Sequence, residues 1–557
     1  MPQKVTKIVI IGGVAGGASA AARARRLSEE ASITILEKGP YVSFANCGLP
    51  YALGGLIEDR EELLLQTPES LKERFNLDVL INTEALAIDR NQNTVKARNL
   101  ITEQELTLSY DFLILSPGAE AIRPALPGIN SKNVFTLQTL PDLDKIQTCI
   151  SETNLKSAAV IGGGFIGIEA AENLVKRGIE VTLIERGDQI FPPADRDTAE
   201  FLHQEMKTHG VHLLLNSELR SIDSAPGRKS KLTLAKGNAE QVLETDLIIM
   251  AIGVRPRTQL AQSAGLTIGK TGGIQVDEFM RTSDPKIYAV GDVIETTQPQ
   301  SGRVSYIPLA GPANRQGRIA ADHIFGKNLA YRGTIGTAVC QVFDLTVATT
   351  GLSIKALQKQ GTAFDWVTLH PNHHAGYYPG AEQMTLKLIF NPENSKILGA
   401  QIVGKAGVDK RIDVLSVAIQ TALTVEDLEH LELAYAPPYG SAKDPVNMAG
   451  FVASNVIRGD TRLIHTDQLK QAHPSSIQLI DVRSPQEYER GSIPNSKNIP
   501  IDDLRSRLSE INQEVPVVVY CQVGFRGYLA YRILTQKGFQ VTNLNGGYRS
   551  WKASPQT

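Results

Sequence analysis

The sequence is short of the features that would place it outside the cell, in a membrane or on a nucleic acid. Only four cysteines occur among 557 residues, Cys47, Cys149, Cys340 and Cys521, too few and too widely spaced for a secreted disulfide framework or a zinc ligand set. In a reducing compartment such isolated cysteines are buried filler or reactive thiols. No stretch comes near the ~20 uninterrupted apolar residues of a membrane span, because the runs at Ile8 and Leu247 are soon broken by glycine or arginine. The formal net charge of −2, from 57 Lys plus Arg against 59 Asp plus Glu, gives no general drive toward nucleic acid or anionic membrane. The opening MPQKVTKIVIIGG has no basic segment followed by a long apolar stretch and a cleavage site, and reads as a cytoplasmic start. Low-complexity tracts are also missing, so a folded chain of several domains is expected from this length.

Two passages resemble each other: KIVIIGGVAGGASAAARARRL from Lys7 and AAVIGGGFIGIEAAENLVKRG from Ala158. Each reads as an apolar strand, a glycine turn and an alanine-containing helix, the first half of a dinucleotide fold. In the second, Gly162, Gly164 and Gly167 complete a G-x-G-x-x-G that lets the backbone approach a pyrophosphate at the helix N-terminus. In the first, Gly12 and Gly17 hold the outer places and Val14 the middle one. The strand after each helix ends in an acid, Glu37 and Glu185, at the distance where a carboxylate meets a ribose hydroxyl. Isolated glycine turns often do no more than start helices; two copies with terminal acids imply two nucleotides. Glu185 favours NADH by repelling a 2′-phosphate, although the adjacent Arg186 offers partial compensation toward NADPH.

Further strand signals at YDFLILSPGA, TDLIIMAIGVRP and KIYAVGDV complete two sheets, and Asp292 at the end of the last is placed for a ribityl or phosphate oxygen. The expected fold is α/β, with a flavin domain split between 1–150 and 276–330 around a nicotinamide domain at 151–275. An α+β dimerisation domain at 331–455 follows, then a linker loosely placed between Gly459 and Asp467 and a small α/β domain at 466–557. From Lys7 to Gly450 the arrangement resembles the two-dinucleotide flavoprotein reductases, which implies FAD in the split domain and NAD(P)H in the inserted one.

YVSFANCGLPY places Cys47 just beyond the first acid-ended strand, where a helix N-terminus is expected to lower its pKa. A redox disulfide of the C-x-x-x-x-C kind is excluded, because Ala52 stands where the second cysteine would be. A lone cysteine instead forms a mixed disulfide, a persulfide or a sulfenic acid. A buried, inert cysteine is the plain alternative, against which Ser43, Asn46 and Gly48 argue.

The S-F-A-N-C-G-L-P-Y string resembles that of coenzyme A disulfide reductases, and the whole chain resembles their rhodanese-fused branch that also reduces persulfides and polysulfides. The resemblance implies that Cys47 attacks the substrate S–S bond, that Ser43, Asn46 and Arg26 face coenzyme A, and that the protein is a homodimer. It also implies that Tyr377 of AGYYPGA and Tyr435 of LAYAPPYG reach the active cysteine from the partner subunit. Without it, Arg26 is an ordinary solvated helix residue and the tyrosines are packing or interface residues.

CQVGFRG follows the strand PVVVY and leads into a helix, so backbone N–H groups and the helix dipole favour a thiolate or persulfide at Cys521, with Arg526 adding charge. This resembles the rhodanese loop C-x-x-G-x-R, and the upstream L-I-D-V-R resembles that family's D-V-R segment. A sulfane-sulfur carrier is the expectation, set against a regulatory rhodanese fold. His370, His373 and His374 in HPNHH read as a polar loop without a completed metal site, and Cys149 and Cys340 as structural. Reduction of coenzyme A persulfide, polysulfide or coenzyme A disulfide competes with two alternatives. One is a flavin peroxidase or oxidase cycling Cys47 through sulfenic acid; the other is a non-catalytic sulfur sensor.

Overall fold

KIVII, SITIL and FLIL are nearly continuous apolar runs, the pattern of parallel strands covered by helices on both faces. In the structure, a computed structural model describing residues 5–152, 155–224, 228–473 and 476–554, they form one parallel sheet. Its order is Ile287–Ala289, Phe112–Leu115, Lys7–Ile11, Ser32–Leu36, Asp78–Leu80. The helix Ala15–Leu27 packs on the late helix Ala310–Ile324 so closely that a Cβ at Gly317 would collide with the Gly16 carbonyl oxygen. Small residues on both helices permit this approach, and it joins the two halves of the split domain.

A second parallel sheet repeats the plan, in the order His212–Leu214, Glu180–Ile184, Ser157–Ile161, Leu247–Met250, Val134–Phe135. The helix Phe165–Lys176 follows its glycine turn. Both sheets fall in one compact unit, Met1–Asp188 with Gly210–Gly336. The intervening segment Gln189–His209 does not; it groups with Thr337–Thr557 in a second unit. Its helix, Arg196–Thr208, is anchored there by charge: Lys387 is buried and pairs with Asp195 at 3.0 Å and Asp197 at 2.8 Å. Asp195 also accepts from the Ile354 N–H at 2.9 Å and from Gln401 at 2.8 Å. A buried ammonium needs such partners, and here the segment brings them.

The second unit holds an antiparallel sheet ordered Ala338–Val342, Leu345–Gly351, Ile397–Gly404, Thr385–Phe390, Asp365–Leu369. Its central strands Thr385–Phe390 and Ile397–Gly404 are buried at every position. A parallel sheet follows, ordered Leu463–Ile464, Val541–Leu544, Val517–Tyr520, Gln478–Asp481, Lys497–Asn498. The stretch expected as a linker is therefore partly built in. Leu463–Ile464 pairs with Val541–Leu544 and the helix Thr466–Gln471 follows; a two-residue strand is too short to show a periodicity. No helix among the described residues is long and apolar enough to cross a membrane.

Candidate active sites

Both glycine turns close in the same way. Gly12 and Gly162 sit at φ +96° and +108°, and a Cβ would strike the Ser116 carbonyl in one case and the Ala251 carbonyl in the other. Gly17 and Gly167 lie against the carbonyl oxygens of Gly12 and Gly162 with no room for a side chain, whereas a Cβ at Gly164 would meet open space. The strand-end acids complete each turn. Glu37 accepts from the N–H groups of Gly13 and Gly39, both at 2.8 Å. Glu185 accepts from Gly163 at 2.7 Å and Gly187 at 2.6 Å. Each carboxylate is thus fixed at the rim of its turn with lone pairs left for a ribose hydroxyl. Asp292 lies beyond the strand Ile287–Ala289; its carbonyl accepts from the Tyr306 hydroxyl at 3.0 Å, and burial raises its carboxyl above the usual carboxylate range.

The segment bearing Cys47 hangs from the first glycine turn. Ser43, at φ +47°, donates its N–H to the Gly13 carbonyl at 2.9 Å. Asn46–Gly48 then makes a single 3₁₀ turn that runs into the helix Leu49–Gly54. Cys47 is exposed, and its thiol lies 3.7 Å from the Asn46 side-chain oxygen. The expected lowering of its pKa does not occur. Burial of the sulfur by surrounding protein comes first, the carboxylates of Glu169 and Asp292 second, and together they push the thiol up. The helix of six residues is too short for its dipole to outweigh them.

Glu169, on the helix Phe165–Lys176, is itself raised to about 7 by burial, although Tyr51 donates a hydrogen bond to it at 3.2 Å. Neither Glu169 nor Tyr51 stood out in the sequence; the only signal was an acid one turn into a dinucleotide helix. Arg26 is exposed in the last turn of its helix, where a cation offsets the helix C-terminal charge. Among the described residues it makes no hydrogen bond or ion pair with the Ser43–Gly48 segment.

In the second unit, the hydroxyls of Tyr377 and Tyr435 lie 3.1 Å apart, a bond that raises the Tyr377 phenol. The two residues are 76% and 47% exposed, an unusual outlay of aromatic surface that suits an interface. Their loops are tied together. Buried Arg411 donates to the His373 carbonyl at 2.7 Å and to Asp444 at 2.8 Å, and the Ala375 N–H donates to the Gly440 carbonyl at 2.9 Å.

Cys521 follows the strand Val517–Tyr520, and the chain turns through Gly524, at φ +103°, into the helix Phe525–Thr535. That glycine donates its N–H to the Cys521 sulfur at 3.2 Å. Asn543, also missed in the sequence, donates to the Gly524 carbonyl at 3.3 Å. Arg483 of the D-V-R segment binds Asp481 at 2.6 Å, reaches Gln522 at 3.2 Å and lies 4.2 Å above the Tyr548 ring. Arg526 pairs first with Glu487, through two bonds of 2.7 Å, and also faces the Cys521 sulfur. The pair holds Glu487 down to about 2.

Over residues 6–317 the sequence matches the Pyridine nucleotide-disulphide oxidoreductase family, over 337–444 that family's dimerisation domain, and over 465–554 the Rhodanese-like domain. The chain belongs to the pyridine nucleotide-disulphide oxidoreductase family. A coenzyme A disulfide reductase of Staphylococcus haemolyticus is 38% identical over 81% of this chain and 100% of its own. The reduced Bacillus anthracis CoADR-RHD crystal structure has a TM-score of 0.96 at 47% identity, over 99% of this chain and 98% of that one. An NAD-dependent persulfide reductase from A. fulgidus has a TM-score of 0.92 at 39% identity, over 98% and 100%.

Members of the family bind FAD and NAD(P)H, and the paired turns fit two such groups: cradles that a Cβ would fill, each rimmed by a fixed carboxylate. His370, His373 and His374 lie in a loop, as read from the sequence, and within it His370 and His374 are buried, at 5% and 4% exposure. The surface that covers His370 includes Gly546 and Ser550, far along the chain.

Proposed function

We propose that this member of the family is an FAD-dependent, NADH-driven reductase of sulfur–sulfur bonds, acting on coenzyme A persulfide, polysulfide or coenzyme A disulfide. The observation that carries the reading is a single exposed cysteine hung from the first dinucleotide turn, without a second cysteine to form an internal disulfide. Relatives spanning nearly all of the chain, named for coenzyme A disulfide and persulfide reduction, support it, and they disfavour the oxidase and sensor alternatives.

Gly12, Gly17, Glu37 and Asp292 would hold FAD, and Gly162, Gly164, Gly167 and Glu185 would hold NADH; bound there, the two would supply a pair of electrons. The Cys47 thiolate attacks one sulfur of the substrate. The substrate S–S bond breaks, a new S–S bond joins Cys47 to one half, and the other half leaves as a thiolate or hydrosulfide and takes a proton. That electron pair would cleave the Cys47 adduct, releasing the second half and restoring the thiolate. For a persulfide the sum is RSSH plus NADH giving RSH, HS⁻ and NAD⁺. Because burial and the carboxylates of Glu169 and Asp292 favour the Cys47 thiol, its proton has to leave before attack, and we assign that proton to Glu169, itself raised to about 7 by burial.

In a homodimer formed through the dimerisation domain, exposed Tyr377 and Tyr435 of one subunit protonate the leaving thiolate at the partner's active site. Ser43 and Asn46 set the substrate approach, and Arg26 serves the coenzyme A phosphates from the exposed helix end. Cys521, with Arg526, carries sulfane sulfur. Domain limits of 1–150 with 276–330, 151–275, 331–455 and 466–557, and a cytoplasmic location, go with this reading.

The test is steady-state NADH oxidation with coenzyme A persulfide, coenzyme A disulfide, polysulfide, peroxide and oxygen in parallel. Turnover with the sulfur substrates that disappears in Cys47→Ser supports the assignment. Peroxide or oxygen outpacing them, or an active Cys47→Ser, overturns it.

A further inference from the structure

We propose that the open edge of the dimerisation sheet is part of the sulfurtransferase site, with His370 as a positioning residue for the Cys521 loop. The inference rests on the reading of Cys521 as a sulfur carrier. All of the residues involved lie in the second compact unit.

Asp365–Leu369 is the edge strand of its sheet, and an edge strand leaves alternate backbone groups without strand partners. One rhodanese side chain satisfies two of them. Asn545 accepts from the Thr368 N–H at 2.8 Å and donates to the Trp366 carbonyl at 3.2 Å. Just beyond the strand, buried His370 reaches the Gly546 carbonyl at 3.1 Å and the Ser550 hydroxyl at 3.0 Å through the same ring nitrogen, Nε2. A carbonyl only accepts, so Nε2 carries the proton, and Nδ1 accepts from the Thr385 hydroxyl at 2.9 Å. Burial lowers His370 to about 3, which keeps the ring neutral and this tautomer in place at any working pH. Alongside, Arg549 donates to the Gln383 side-chain oxygen.

The same short segment grips the sulfur loop from the other side. The Tyr548 N–H donates to the Cys521 carbonyl at 2.8 Å and the Arg549 N–H to the Gln522 carbonyl at 3.0 Å. Gly547 is pressed against the loop, so that a Cβ there would stand 2.5 Å from the Cys521 carbonyl oxygen and 2.9 Å from the Gly524 nitrogen. That nitrogen carries the N–H directed at the Cys521 sulfur at 3.2 Å. Asn545–Ser550 therefore holds Cys521 and its N–H donor with backbone groups, and is itself held by Trp366, Thr368, His370 and Gln383. The rhodanese sequence supplies only half of this clamp. Freeing Gly546 and Ser550 from His370 lets the segment, and with it the donor to a sulfur-bearing Cys521, drift from its geometry.

The experiment uses the full chain with thiosulfate and cyanide. The Cys521 thiolate attacks the outer sulfur of thiosulfate, the S–S bond breaks with its electron pair leaving on sulfite, and a Cys521 persulfide forms. Cyanide then removes the outer sulfur as thiocyanate and the thiolate returns, with no net oxidation. Activity that survives in Cys521→Ser defeats the underlying reading and leaves nothing for His370 to position. With Cys521 established, His370→Leu is expected to lower kcat for sulfur transfer about tenfold while KM for thiosulfate moves less than about twofold. His370→Gln, whose amide nitrogen takes the place of Nε2, is expected to recover most of that loss. A folded His370→Leu with unaltered kcat, or a His370→Gln no better than His370→Leu, overturns the proposal. If His370→Leu does not fold, Gln383→Met decides: a kcat lowered about threefold or more supports it, and an unaltered kcat overturns it.

Discussion

Cys47 and Cys521 are both single thiols where a turn leads into a helix, yet their surroundings are opposite. Cys47 is exposed, follows a strained Ser43 backbone, precedes a six-residue helix and faces two carboxylates that favour the thiol. Cys521 is fully buried, at 0% exposure, precedes an eleven-residue helix, and receives the N–H of Gly524. The difference separates two tasks. A thiol that must reach a bulky disulfide needs an open face and a base to activate it. A thiol that must hold one sulfur atom needs fixed donors around that atom and little else.

Substitution of the two cysteines breaks the comparison most directly. Cys47→Ser is expected to lower NADH-driven coenzyme A disulfide reduction by about 10³-fold or more, read as NADH oxidation, because a serine hydroxyl does not replace the thiolate nucleophile. Cys521→Ser is expected to leave that reaction intact and to weaken polysulfide use by about tenfold, while reduction of a small persulfide is spared. Equal loss of both substrates would merge the tasks that the geometry keeps apart.

A smaller effect sharpens the contrast in charge. Glu169→Gln removes a negative neighbour, so the Cys47 pKa should fall and its alkylation near pH 8 should rise about two- to threefold. Turnover should fall in the same variant if Glu169 takes the Cys47 proton; a slower alkylation would contradict the assigned electrostatics.

The smallest effect concerns Glu487, held at about 2 by Arg526 against an ordinary 4.5. A depressed carboxyl contributes stability above pH ~4.5 and loses it as pH falls toward 2. Both side chains are about a third exposed, so the pair is worth under about 1 kcal/mol. Thermal melts of wild type and Arg526→Met should differ by a degree or two at most at pH 6, by less at pH 3, and converge only as pH approaches 2; a constant difference would show that packing, not charge, is at work.

The glycine turns and their acids were legible in the sequence because backbone geometry demands those residues at those spacings. Gly12, Gly17, Gly162 and Gly167 all lie where a side chain would collide with a carbonyl. The sulfur loop was legible for the same reason. What the sequence hid were relations between distant segments. Glu169 gains its raised pKa from burial beside Tyr51, and no local pattern announces that contact. HPNHH read as a polar loop, and nothing in it announces that Gly546 and Ser550 cover His370. The direction of the Cys47 shift was misjudged because helix dipole was weighed without burial of the sulfur and the carboxylates of Glu169 and Asp292.

Whether Cys47 itself forms the covalent adduct is read by mass spectrometry of the protein mixed with coenzyme A disulfide without NADH. One coenzyme A per chain on the Cys47 peptide, cleared on adding NADH, is the expected result. An adduct confined to Cys521, or NADH-driven turnover with Cys47 unmodified throughout, would contradict it.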